Sequence, residues 1–152
     1  MTTATQLAAD RLQLQDYRKI SKSTKDYDLL KHEEYFCGWM EKFEEQASLH
    51  KLDSLINSKF DSTDNHRQSL KAGSNERILF EEQALFLFAV FRHILKTVKG
   101  KELVQRNKKD PIMVWKELLH HHKGSDASMD AAMKLLQRLF QLNASKFKTW
   151  KQ

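Results

Sequence analysis

The sequence predicts an all-α domain, because it is poor in the residues that turns between short strands require. Its 152 residues include 4 glycines and 1 proline, whereas Leu, Lys, Glu, Gln and Ala are plentiful. Apolar residues also recur at three- and four-residue steps in several segments, which is the period of amphipathic helices. The length suits one domain with one core. We therefore expect a single bundle-like domain of about five or six helices.

The first half of the chain predicts an arm followed by a long amphipathic helix. Residues 1–26 are polar with a few aliphatic residues, which indicates a weak helix or a mobile arm, and the helical domain is expected to span 27–145. A helix is predicted from about Leu29 to Leu55. The residues on its buried stripe are Phe36, Trp39, Phe43, Ala47 and His50. The segment 58–75 is rich in Ser, Asp and Asn, so we expect a long connector there.

The second half predicts a central helix, apolar round much of its circumference, that begins at Ser74 or Asn75 and is stopped by Gly100. Its stripe consists of Phe80, Ala84, Leu87, Phe91, Ile94 and Val98, thickened by Leu85, Phe88 and Leu95. A short basic helix follows, and Asp110 with Pro111 gives the start signal of the next one. A last helix is expected from Ser125. Its predicted buried face is Met129, Ala132, Leu136, Leu139 and Phe140.

The charge is unevenly distributed along the chain. Residues 1–91 carry 12 Lys and Arg against 15 Asp and Glu, whereas residues 92–152 carry 14 against 5. This asymmetry indicates either a polyanion partner for the second half or a basic face that is merely solvated. The candidate nucleic-acid-binding residues are Lys96, Lys99, Lys101, Arg106, Lys108 and Lys109, together with Lys146, Lys148 and Lys151 in a basic and aromatic tail over 146–152.

The histidine triplet at 120–122 is not expected to bind a metal. Successive helical residues point about 100° apart, so three adjacent histidines cannot converge on one ion. His122 shares a face with Ile112, Trp115 and Leu119 and is expected to lie over the core, whereas His120 and His121 are expected to be solvated. We also find no nucleophile motif or phosphate-binding loop. The sequence predicts neither an enzyme nor a cofactor, and a metal-dependent enzyme is a distant alternative.

The sequence also gives expectations about location. The single cysteine, Cys37, allows no internal disulfide. No signal-peptide pattern is present, and the longest apolar run, from Ala84 to Phe91, is far shorter than the roughly 18 residues of a membrane span. We expect a soluble, cytoplasmic protein without a membrane partner or a small-molecule substrate.

Two long segments resemble the N-terminal capsid-like region of Gag polyproteins from copia-type LTR retrotransposons, in the form found in diatoms and similar microbial eukaryotes. The matching motifs occur in the family's order. They are Tyr27, Leu30, Lys31 and Trp39; Phe80, Glu81, Glu82, Val90 and Phe91; Gly100, Lys101 and Val104; Trp115, Leu118, His121, Ser125 and Ala127; and finally Trp150. The resemblance covers the chain from about Asp16 onward.

The resemblance implies a retroviral-capsid-like fold and an architectural role. Gag proteins of this kind self-associate into a particle around the element's RNA, which implies a homo-oligomer and RNA as partners. Relative to the family, the chain stops early, at Gln152, and lacks a zinc knuckle and a protease motif. It is therefore expected to be truncated. The alternative is a small basic helical protein that binds nucleic acid without assembly, and a helix-turn-helix reader ranks below it because Asp126 and Asp130 would face the phosphates.

Overall fold

A computed structural model describes residues 3–57, 61–122 and 136–139, and the regular elements within these ranges are helical. The helices are α1 (Ala4–Lys19), α2 (Phe36–Leu49), α3 (Asp53–Ile56), α4 (Thr63–Ser69), α5 (Asn75–Ile94), α6 (Val98–Arg106) and α7 (residues 111–122), with a short helical segment at 136–139. Short 3₁₀ turns occupy Thr24–Asp26 and Glu33–Tyr35. The predicted all-α class is confirmed.

The chain divides into two compact units, Met1–Leu118 and Leu119–Gln152. The sequence predicts a helical domain over 27–145; its far boundary lies outside the described residues, so this division stays a prediction. In the first unit, α1 packs along α5 and buries Leu14 and Tyr17. Arg18 forms an ion pair with Glu82 at 2.6 Å. Of the two alternatives for the N-terminal segment, the structure therefore has the helix.

An aromatic core joins α2, α5 and α7. The Phe43 ring centroid lies 4.8 Å from that of Trp115 and 5.4 Å from that of Phe91. Trp39 stacks on Phe43 at 5.1 Å, and its indole N–H donates to the Asp28 carbonyl at 2.8 Å. The predicted stripe of α2 is thus buried, and α5 is central to the unit as its apolar circumference predicts.

The predicted helix from Leu29 to Leu55 is wrong in its extent. The chain leaves α2 at His50, passes through Lys51 with φ of 60°, and resumes as α3. Leu52, which follows this break between α2 and α3, is completely buried. The Gln83 side chain fixes the backbone at the break by donating to the Lys51 carbonyl at 2.8 Å. No glycine marks this left-handed position, so the break follows from a long-range contact.

The predicted connector over 58–75 contains α4. Residues 58–60 lie outside the described ranges, but Ser62 then caps a two-turn helix by accepting from the Asn65 backbone N–H. Thr63, at the start of α4, is fully buried and bonds to the Asp110 carboxylate. A segment that lacks apolar periodicity is thereby fixed by a cap and one buried contact.

The prediction that Gly100 ends the central helix is also wrong. Helix α5 ends at Ile94 because the next residues pair with the backbone of Leu30, whose N–H donates to Ile94 O and whose carbonyl accepts from Lys96 N, both at 2.9 Å. Thr97 then caps α6, which contains Gly100. A Cβ at Gly100 would lie 2.9 Å from Leu95 Cβ. The glycine therefore permits close packing and does not terminate a helix.

Helix α7 begins as predicted, with Asp110 accepting from the Met113 backbone N–H at 3.2 Å. Of the three histidines at the end of α7, His122 is buried, His121 is half-buried and His120 is exposed. Gly124, Ser125, Met129, Ala132 and Phe140 lie outside the described residues. Leu136 and Leu139 are 50% and 54% exposed, so their predicted burial is wrong. Helical spacing predicts that these two leucines share a helix face, but it does not predict whether another part of the protein covers that face.

Candidate functional site

Basic side chains surround a groove of about 500 Å³ beside α5 and α6. Its cations are Arg92, Lys101, Lys108 and Lys109, all of which are exposed. Its apolar lining consists of Phe88, Leu95 and Val104, and Gln105 completes it. No carboxylate is among these lining residues. We call this feature the basic groove.

Local sequence explains how α6 contributes to the basic groove. Lys101, Gln105 and Lys108 follow one another at four- and three-residue steps, so they share a face as α6 runs into the turn after it. The turn is held by Asn107, whose side chain donates to the Leu103 carbonyl at 3.1 Å and to Glu117 at 3.0 Å. Lys109 follows with φ of 61°, a conformation that residues other than glycine and asparagine seldom adopt.

Ion pairs divide the six predicted basic residues of this region. Glu102 lies 3.6 Å from Lys99 and 3.9 Å from Arg106. Arg106 also contacts Glu117 at 3.1 Å, so carboxylates already offset the charges of these two residues. Within the described part of the chain, no ion pair engages the four cations of the basic groove. These four cations remain available to an anionic ligand.

The structure thus brings together three of the predicted binding residues, Lys101, Lys108 and Lys109. Lys96 is exposed but does not line the basic groove. Lys146, Lys148 and Lys151 lie outside the described residues. Arg92 is not among the predicted binding residues; it belongs to α5 and reaches the basic groove because α6 folds back beside the end of α5. The sequence carried no signal for it, because which side of α5 faces α6 depends on how the chain folds back after Ile94.

A second cavity of about 380 Å³ shares Phe88 and Lys109 with the basic groove. Arg67, Glu81, Ala84 and Leu85 complete its lining. Arg67 and Glu81 form an ion pair at 3.3 Å, so this end carries little free charge. Leu85 is 67% exposed and Phe88 is half-buried, which corrects the prediction that both thicken a buried stripe. The two cavities therefore join a basic region to a short exposed apolar region.

A separate cluster of titratable groups surrounds His50 in the interior. The Tyr27 hydroxyl lies 2.8 Å from His50 Nδ1, and Asp26 lies 3.4 Å from His50 Nε2. Burial lowers the pKa of His50, although the Asp26 carboxylate acts in the opposite direction. The histidine is only 3% exposed, so this cluster serves to join the Thr24–Asp26 turn to the end of α2.

Comparison of the chain with protein-family models, with curated proteins and with solved structures finds no match. Within residues 3–57, 61–122 and 136–139, no group of three or more His, Cys, Asp or Glu side chains is arranged to hold a metal ion. The same residues contain no helix with the length and apolar character needed to cross a membrane. The basic groove is the site from which a function is proposed.

Proposed function

We propose that this protein is a non-enzymatic architectural protein of the Gag type, which associates with RNA through the basic groove and self-associates. The observation that carries the RNA part is the set of four exposed cations round one groove without a carboxylate partner among the described residues. A phosphate backbone offers closely spaced negative charges to such a set. Lysine and arginine side chains bind phosphates irrespective of the base sequence.

The self-association part rests on the resemblance to copia-type Gag proteins. Its structural requirement is exposed surface on helices that are themselves well packed. Leu49 at the end of α2 is 70% exposed, and Val98 at the start of α6 is 87% exposed. Both side chains are available for contacts between copies. Single exposed apolar residues are ordinary on soluble proteins, so a measurement of mass must decide this part.

Size-exclusion chromatography with light scattering, run with and without single-stranded RNA across a salt series, tests both parts. We expect species larger than a monomer, and RNA binding that weakens steeply as salt rises. Four phosphate contacts predict a slope of about −2.8 for the logarithm of the binding constant against that of the salt concentration. A monomer with this slope supports the alternative of a nucleic-acid-binding protein without assembly. A monomer that binds no RNA at low salt contradicts both.

The double variant Lys108→Glu and Lys109→Glu tests the basic groove directly. Losing two phosphate contacts should bring the salt slope to about −1.4 and weaken RNA binding, while the circular dichroism spectrum stays unchanged. The matched control is Lys19→Glu with Lys25→Glu, which alters the net charge equally. Both control lysines are exposed and lie outside the basic groove. Equal loss of binding in both variants would mean that total charge, not the groove, attracts RNA.

A further inference from the structure

We infer that the basic groove takes a single strand of nucleic acid, with one base lying against the ring of Phe88. This inference rests on the proposed association with RNA and goes further by naming the form of the ligand. Phe88 lines both the basic groove and the smaller cavity beside it. The ring therefore lies where the four cations meet the exposed apolar region.

Phe88 differs from the other aromatic residues of α5. Phe91 is fully buried and stacks with Phe43 and Trp115. Phe80 is buried and its ring contacts that of His66. Phe86 packs with the rings of Tyr27 and His50. Phe88 is half-buried and has no aromatic partner among the described residues. Its ring is thus the one on this helix that is left for an external flat group.

The surroundings of Phe88 limit the chemistry of the ligand. Leu85, Phe88 and Arg92 follow each other at three- and four-residue steps, so they form a stripe that passes from exposed apolar surface to positive charge. Lys109 lines the same two cavities. A ligand that fits must combine an apolar face with negative charge a short distance away. A nucleotide does so with its base and its phosphate.

The small extent of the accessible apolar surface favours a nucleotide over an acidic peptide helix. A docked amphipathic helix needs anchors over two or more turns and a continuous apolar groove to receive them. Leu95 and Val104, which form the rest of the apolar lining, are only 1% and 8% exposed. What remains accessible is roughly one ring and one leucine, which suits one base. The base must be unpaired, because a duplex hides the faces of its bases.

Fluorescence anisotropy with three labelled ligands tests this inference. They are a single-stranded RNA of about 12 nucleotides, its duplex with a complementary strand, and an abasic strand with the same number of phosphates. We expect the protein to bind the single strand most tightly. Phe88→Leu, which keeps apolar volume but removes the ring, should weaken that binding roughly 5- to 150-fold and leave the abasic strand unaffected. Phe88→Trp should retain binding.

The control is Phe86→Leu, which removes a half-buried ring from another face of the same helix and should not change RNA binding. Equal affinity of the unaltered protein for the single strand, the duplex and the abasic strand would overturn the inference while leaving RNA association intact. Absence of binding to all three would instead overturn the proposed function. An acidic amphipathic peptide that binds more tightly than RNA, and loses affinity in Phe88→Leu, would point to a protein partner and also overturn the inference.

Discussion

Replacing Asp110 should reveal how two distant helices are fixed beside the basic groove. One carboxylate oxygen, Oδ1, accepts from the Met113 backbone N–H at 3.2 Å. The same oxygen accepts from the Thr63 backbone N–H at 3.0 Å and from the Thr63 hydroxyl at 2.6 Å. Asp110 therefore caps α7 and holds the start of α4 at once. Asp110→Ala removes the cap and the acceptor for both Thr63 donors.

The magnitude of the loss can be estimated from these contacts. Removing an N-cap side chain costs about 0.5–2 kcal/mol. Thr63 is fully buried, so leaving its backbone N–H unpaired adds roughly 1–3 kcal/mol. We expect Asp110→Ala to lower the free energy of unfolding by roughly 2–5 kcal/mol. Asp110→Asn keeps the acceptor oxygen and should cost about 1 kcal/mol, the difference between charged and neutral acceptors.

Urea unfolding monitored by tryptophan fluorescence measures these differences. A double-mutant cycle with Thr63→Val, which removes only the hydroxyl, should give a coupling energy of about 0.5–3 kcal/mol. The control is Asp61→Ala, an exposed aspartate in the same segment as Thr63, with an expected change within about 0.5 kcal/mol. A loss below about 1 kcal/mol in Asp110→Ala, or a coupling energy near zero, would refute the view that this carboxylate joins α4 to α7.

Two further predictions concern packing and pH. Gly100→Ala should destabilise the protein by about 1–3 kcal/mol, because the new Cβ would lie 2.9 Å from Leu95 Cβ and from Thr97 Oγ1. The matched variant Gly38→Ala, whose Cβ would meet open space, should instead stabilise the protein by about 0.5–1 kcal/mol. Urea unfolding of both variants measures this pair, and stabilisation by Gly100→Ala would contradict the close packing. Stability should also fall as the pH drops below about 6.5, the ordinary pKa of histidine. Burial lowers the pKa of His50 in the folded protein, so below this pH the unfolded chain binds a proton that the folded chain does not. Burial likewise lowers the pKa of His66, so His50→Gln should remove only part of the loss between pH 7.5 and 5.5; an unchanged loss would exclude His50 as a source.

The features that sequence predicted well are those that neighbouring residues determine. The stripe of α2 and the caps at Ser74 and Asp110 depend on residues within a turn or two of each other. The missed features depend on distant partners. Helix α2 stops where Gln83 contacts the Lys51 carbonyl, and α5 stops where Leu30 pairs with the chain. The first contact joins residues 32 positions apart and the second joins residues 64 positions apart, so composition and local patterns do not reveal them.

The basic groove shows the same division. The sequence predicted a cluster of cations, but it did not predict which of these cations form ion pairs with carboxylates. The pairing of Glu102 with Lys99 and Arg106 follows helical spacing, so it could have been inferred. The contact between Arg106 and Glu117 links α6 to α7 and could not. Nor could Arg92 be assigned to the cluster before the return of α6 beside α5 was known.

The exposed part of α5 lies beside the four cations of the basic groove. The helix is apolar round more of its circumference than its neighbours cover, which leaves Leu85 exposed and Phe88 half-buried. Four like charges lie beside this surface and repel one another at low salt. Neither feature favours the folded state in the absence of a ligand. A bound anion with an apolar face would relieve the repulsion and cover the ring, so its binding energy would add to the stability of the folded chain.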